Sequence, residues 1–135
     1  MIVLFIDDML DPDESLEYHQ LRQRLANARD DLKYLINDMR ALRVMLAKAD
    51  GERRRAMRRL IRDCSGPLGR GFFLDAADLT RARGRIAKLA GELHNSKLLF
   101  KSSQRNYTKA LQELDRKVLY LNWKYVLSKL KEAGK

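Results

Sequence analysis

The sequence predicts an all-α protein built as a long antiparallel helical hairpin of coiled-coil type, and three observations carry that prediction. Apolar residues alternate at spacings of three and four from Tyr18 to Ala49 without a miss. The 135 residues hold only two prolines and seven glycines, and one proline and three glycines fall together in SGPLGRGFFLD, residues 65–75. No proline follows that stretch, and a second apolar stripe runs through what comes after it. A period of 3.5 residues held over such a length specifies a helix whose seam faces another helix.

The first helix is signalled at DPDES. Asp11 can cap it, Pro12 suits its first position, and Asp13 and Glu14 complement the positive end of the helix dipole. Its seam reads Tyr18, Leu21, Leu25, Ala28, Leu32, Leu35, Met39, Leu42, Leu46 and Ala49. Asp50-Gly51 is expected to break the phase, because glycine costs about 1 kcal/mol inside a helix relative to alanine. The stripe then resumes on a shifted face as Met57, Leu60, Ile61 and Cys64. The expectation is a helix over about 12–49, a kinked or separate helix over about 52–64, and a loop at 65–75. A last helix is expected over about 76–132, capped by Asp75 with Asp78 in the capping-box position. Its seam reads Leu79, Ala82, Ile86, Leu89, Leu93, Ser96, Phe100, Ser103, Tyr107, Ala110 and Leu114, and it widens to Leu111, Val118, Leu121 and Tyr125. Gly84 and Gly91 share a face away from the seam, and the sequence gives them no role.

The length suits a single helical domain, 1–135, with residues 1–10 packed near the C-terminal aromatics. Joined by a short loop, the two long segments would form a hairpin roughly 75 Å long at 1.5 Å per residue. A lone hairpin buries one stripe of each helix, so two copies are expected to pair into a dimeric bundle. Leu25, Leu32, Leu35, Met39, Leu42 and Leu46 are the expected oligomer seam. Tyr120, Trp123 and Tyr125 are read as core or dimer contacts.

Charge is the most pointed feature. The net charge is +10 and the isoelectric point near 10.0, which calls for an acidic partner. Residues 1–50 carry seven basic and ten acidic side chains, whereas 51–88 carry eleven basic and four acidic. GERRRAMRRLIRD, residues 51–63, packs Arg53, Arg54, Arg55, Arg58, Arg59 and Arg62 into ten positions. With Arg70, Arg81, Arg83, Arg85 and Lys88 they give the hairpin one strongly positive end with little compensation. Arginine's planar fork engages phosphate or carboxylate bidentately, and a helix face of arginines can follow a phosphate backbone without reading sequence. The plainer alternative is a solvated face whose arginine stems shield apolar surface. Phe72 and Phe73 either tuck back onto Leu60, Ile61 and Leu79 or present an anchor to a partner.

Other constellations carry less. Ser65, His19 and His94 have neither the spacing nor the elbow motif of a hydrolytic triad. A single cysteine, Cys64, supplies neither a disulfide nor a structural zinc site, and reads as a small buried hydrophobe in a reducing cytoplasm. Asp7, Asp8, Asp11 and Asp13 are explained by helix capping before any cation. GPLGRGFF lacks the Gly-Lys-Ser/Thr ending of a nucleotide loop and no strand precedes it. The opening MIVLFIDDML has the wrong flanks for a secretory leader, and no stretch reaches the roughly 20 apolar residues that cross a bilayer. The expected function is therefore non-enzymatic and cofactor-free, without a membrane. It is the gripping of nucleic acid by its phosphates at the arginine-rich end. The alternative is an adaptor, assembly factor or inhibitor that docks the same arginines and the helical faces on an acidic protein.

Overall fold

A computed structural model of the chain describes residues 2–64 and 69–134. A short 3-10 turn, Asp7–Met9, precedes two long helices, α1 (Pro12–Cys64) and α2 (Arg70–Ala133). The helices pack against each other in a helical hairpin, and no strand occurs among the described residues. The chain divides into two compact units. One comprises Met1–Lys33 with Lys101–Lys135, the other Tyr34–Phe100.

The seam of α1 does not shift at Gly51. Lettering its heptads with Tyr18 at position a and Leu21 at d, the register continues through Ala49, Arg53, Ala56, Leu60 and Asp63. Ala49 and Ala56 are fully buried. The separate helices over 12–49 and 52–64 are thus one, and the expected stripe of Met57, Ile61 and Cys64 is not the seam. Ile61 and Cys64 are exposed and Met57 half-buried. The expected break at Asp50-Gly51 does not occur; the polar seam residues Arg53 and Asp63 interrupt the apolar stripe without interrupting the helix. Gly51 stands at the outer f position, where a methyl group would meet nothing within 4 Å. The roughly 1 kcal/mol cost of one glycine is small against the burial of a further turn of seam, at 1.5–3 kcal/mol for each large apolar side chain.

The second correction concerns the loop. Of the expected 65–75 segment, residues 65–68 lie outside the described residues, and α2 already begins at Arg70 rather than near 76. Phe72 and Asp75 are its first a and d residues, followed in strict alternation by Leu79, Ala82, Ile86, Leu89, Leu93 and Ser96. Asp75 is therefore not a cap. It lies in the second turn with its side chain buried in the seam.

In the unit Tyr34–Phe100, Leu42, Ala49 and Leu89 form the core, with Leu46, Ile86 and Leu93 against them. Ser96 Oγ donates to Asp38 Oδ2 at 2.7 Å and so satisfies a buried hydroxyl on the seam. The ion pairs step along the two helices in opposite directions by one heptad: Arg59 faces Asp78, and Glu52 faces Arg85 at 2.9 Å.

In the other unit the core is Phe5, Tyr18, Val118 and Leu121, covered by Leu10, Leu114 and Tyr125. Phe5 meets Tyr18 edge to face, centroids 5.0 Å apart. Asn122 holds the N-terminal segment with its whole amide: its Oδ1 accepts from the Leu4 N–H and its Nδ2 donates to the Ile2 carbonyl, both at 2.8 Å. Asp7 accepts from Ser15 Oγ and pairs with His19 Nε2 at 2.7 Å. Lys117 reaches Glu17 and Lys124 reaches Glu14, each at 2.6 Å, and Arg24 pairs with Glu113 at 2.7 Å. Lys129, by contrast, pairs with Glu132 on its own helix.

The leucines expected to form an oligomer seam are used inside the chain. Leu35, Met39 and Leu42 are buried, and Leu25, Leu32 and Leu46 half-buried. Gly84 and Gly91, like Gly51, occupy f positions of a continuous helix with helical backbone angles and open space around the missing Cβ. Gly84→Ala and Gly91→Ala should each raise stability by about 0.5–1 kcal/mol by restricting the unfolded chain. Thermal melts of the single variants and their sum check this, since positions two turns apart on an outer face should add. A drop in melting temperature would show that something packs on this face.

Candidate docking surface on the arginine-rich unit

All eleven basic residues singled out in the sequence lie in the unit Tyr34–Phe100, but the structure sorts them into two groups. Arg53 and Arg54 both turn back to Asp50 at 3.0 Å. Arg59 lies 3.3 Å from Asp75 and 3.6 Å from Asp78. Arg81 also engages Asp78, Arg85 engages Glu52, and Arg62 lies 3.7 Å from Asp63. Compensation is thus greater than the linear charge count implied, because Asp50, just outside the counted segment, and all four acids within it are used. Such exposed pairs add at most about 1 kcal/mol each to stability. Their consequence is that these guanidinium groups already have carboxylates. Arg55, Arg58, Arg70, Arg83 and Lys88 are exposed and have no ion-pair partner among the described residues. Arg55 and Arg58, three apart at c and f, share the side of α1 turned away from α2, and Arg62 continues that row.

Apolar side chains stand among these cations. The two phenylalanines separate into the two roles considered for them. Phe72 is half-buried at its seam position, whereas Phe73 is 66% exposed and meets it edge to face at 5.5 Å. Leu74 is 54% and Ile61 64% exposed. Cys64 is exposed as well, not the buried hydrophobe expected.

The same unit holds a pair of carboxyl groups that the sequence did not announce. Asp63 and Asp75 occupy facing seam positions where apolar residues would ordinarily sit. Their mutual hydrogen bond, then burial and the Asp63 charge, raise Asp75 above its ordinary value of 3.8, while Arg59 opposes the shift. A hydrogen bond between two carboxyls needs one proton. Asp75 therefore keeps a proton in the folded chain at pH values where the unfolded chain has lost it. Folding takes up that proton, so this group's contribution to stability declines as pH rises from about 4 through the raised pKa, and returns on acidification. Melting temperatures of the wild type and of Asp63→Asn, measured from pH 4 to 7, should diverge, with the variant losing this dependence. Parallel curves would show that the carboxyls do not share a proton.

A second basic surface lies on the other unit, in a groove of about 690 Å³ lined by Lys101, Gln104, Arg105, Thr108, Lys109 and Gln112 along α2, with Tyr107 and Leu32 beneath. No carboxylate among the described residues lines it. Grooves beside Glu14, beside Asp31 and between Glu52 and Asp78 each contain at least one. Elsewhere the expected core or dimer aromatics are mostly uncovered: Tyr120 and Trp123 are exposed and only Tyr125 is half-buried.

No helix among the described residues is long and apolar enough to cross a membrane. Comparison with protein-family models, with curated proteins and with solved structures finds no match.

Proposed function

We propose that the chain is a non-enzymatic docking protein, a helical adaptor whose arginine-rich unit binds an acidic protein surface. The observation that carries this reading is the mixture of unpaired arginines with exposed Ile61, Phe73 and Leu74 on one unit. Protein interfaces are enriched in aromatic residues and arginine and draw their affinity from a few such anchors. A phosphate grip needs only the cations; Phe73 would suit an unpaired base as well as a protein groove, but the aliphatic Ile61 and Leu74 have no stacking role. Six of the eleven candidate cations moreover lie against carboxylates of the chain itself, which lowers the attraction available to a polyanion.

Nucleic-acid binding through phosphates is the second reading, and the carboxylate-free groove at Lys101, Arg105 and Lys109 is the observation that favours it. One experiment separates the two. The immobilised chain is exposed to cell extract with and without nuclease treatment, alongside Ile61→Ser/Phe73→Ser/Leu74→Ser and Lys101→Gln/Arg105→Gln/Lys109→Gln variants. An adaptor retains its protein after nuclease and loses it with the apolar substitutions. A phosphate binder retains nothing after nuclease and is weakened by the glutamines.

A further inference from the structure

The apolar surface near the C-terminal end of α2 is larger than the fold requires. Leu114 and Leu121 occupy the seam, but a second row runs outside it: Tyr120, Trp123, Leu127 and Leu130, at spacings of three, four and three. Leu119 and Val126 widen the row. Leu119, Trp123 and Leu130 are each more than 60% exposed, and Tyr120 53%. The two aromatic rings alone leave roughly 250 Å² to solvent, and with the leucines the patch reaches the size of the largest found on most monomers. A spacing of 3.5 residues is the signature of a helix that packs against another helix, so α2 carries two such faces here, and α1 covers only one.

The chain's own N-terminal segment is not the cover. It is already docked, held by Asn122 at Ile2 and Leu4 and buried at Phe5, and the second row stays exposed with it in place. A second copy is disfavoured by charge. Arg116, one turn before the row, and Lys131, immediately after it, have no ion-pair partner among the described residues. Lys117, Lys124 and Lys129 are matched by Glu17, Glu14 and Glu132. Asp115 balances Arg116 at one end of the row, but residues 89–135 as a whole carry ten basic and four acidic side chains. Two copies packed on this face would therefore bring like-charged surfaces together, which selects against pairing.

We infer that Tyr120, Trp123, Leu127 and Leu130 form a docking face for an amphipathic helix of another protein, with leucine-type residues in its seam and Asp or Glu at its flanks. This face belongs to the unit Met1–Lys33 with Lys101–Lys135. It is separate from the arginine surface proposed above, so either can fail alone.

Trp123 is the only tryptophan of the chain, which makes the unmodified protein its own reporter. The purified chain is titrated with a synthetic helical peptide of roughly four heptads, leucine at seam positions and glutamate at flanking positions. A second peptide has the same seam and lysine flanks. The expected result is a saturable blue shift of tryptophan emission, with the acidic peptide binding at least tenfold more tightly than the basic one. The shift should be lost in Tyr120→Ser/Leu127→Ser/Leu130→Ser, which keeps the reporter and alters only exposed positions. Circular dichroism of that variant checks that it stays helical. The inference is overturned by no shift with either peptide, by equal affinity for both, or by a shift that follows protein concentration with no peptide present, which would identify a second copy as the occupant.

Discussion

Replacing Leu121 with alanine should lower the free energy of unfolding by about 3 kcal/mol, within the 2–5 kcal/mol range of large-to-small core substitutions. Leu121 is 1% exposed, the least accessible large side chain of the core. It is the point at which three segments converge: Phe5 from the N-terminal segment, Tyr18 from α1, and Val118 with Tyr125 from α2. Neighbours from three directions cannot all move in, so much of the cavity should persist. Leu119→Ala, two residues away and 64% exposed, removes the same atoms from water-facing surface and should change stability by less than about 0.5 kcal/mol. Urea unfolding of both variants checks the pair. Equal effects would mean that the N-terminal segment does not close over α2 as described.

The second large effect is expected in binding. Arg55→Glu/Arg58→Glu should weaken capture of the protein partner by tenfold or more, equivalent to about 1.4 kcal/mol, and Phe73→Ser should do the same by removing an anchor. Arg55→Glu/Arg58→Glu touches neither the seam nor an ion pair of the chain, so its melting temperature should stay within a degree or two of wild type. Phe73→Ser also removes the edge-to-face contact with the seam residue Phe72 and should lower stability slightly. Arg59→Glu behaves differently. It places a third acid beside Asp75 and Asp78, which Arg59 now approaches at 3.3 and 3.6 Å, so it should lower the melting temperature along with binding. Charge reversal at Arg59 is therefore a poor probe of docking, although its spacing in the sequence makes it look equivalent to Arg55 and Arg58. If Arg55→Glu/Arg58→Glu and Phe73→Ser both left capture unchanged, the docking surface would lie elsewhere.

What the sequence made legible follows from how strongly each signal is repeated. The seam from Tyr18 to Ala49 and the one from Leu79 to Leu114 recur at every heptad, and both appear in the structure as read. The signal failed where polar residues stand in the seam. Asp50-Gly51, followed by polar Arg53 and Asp63 in the seam, made α1 look broken, and Asp75 with three nearby glycines made the first turn of α2 look like a loop. A strict count of spacing carried through the polar residues would have recovered both, because Ala56 and Leu60, Phe72 and Leu79 keep the register. Pairing of the arginines could not be read at all from a linear count. Asp50 meets Arg53 and Arg54 along one helix, but Asp75 and Asp78 meet Arg59 only once the antiparallel register is fixed. Asn122, a single amide in an apolar run, likewise shows its use only when the N-terminal backbone lies beside it. The exposed row around Trp123 was visible as an apolar excess, but one sequence does not say whether such an excess is core or surface.

The most direct test of the adaptor reading is a photo-crosslinking residue in place of Phe73, activated in cells that produce the chain. The account predicts a discrete adduct that protease destroys and nuclease leaves intact, and that disappears when Arg55→Glu/Arg58→Glu is added to the same chain. An adduct removed by nuclease, or none at all, would contradict it.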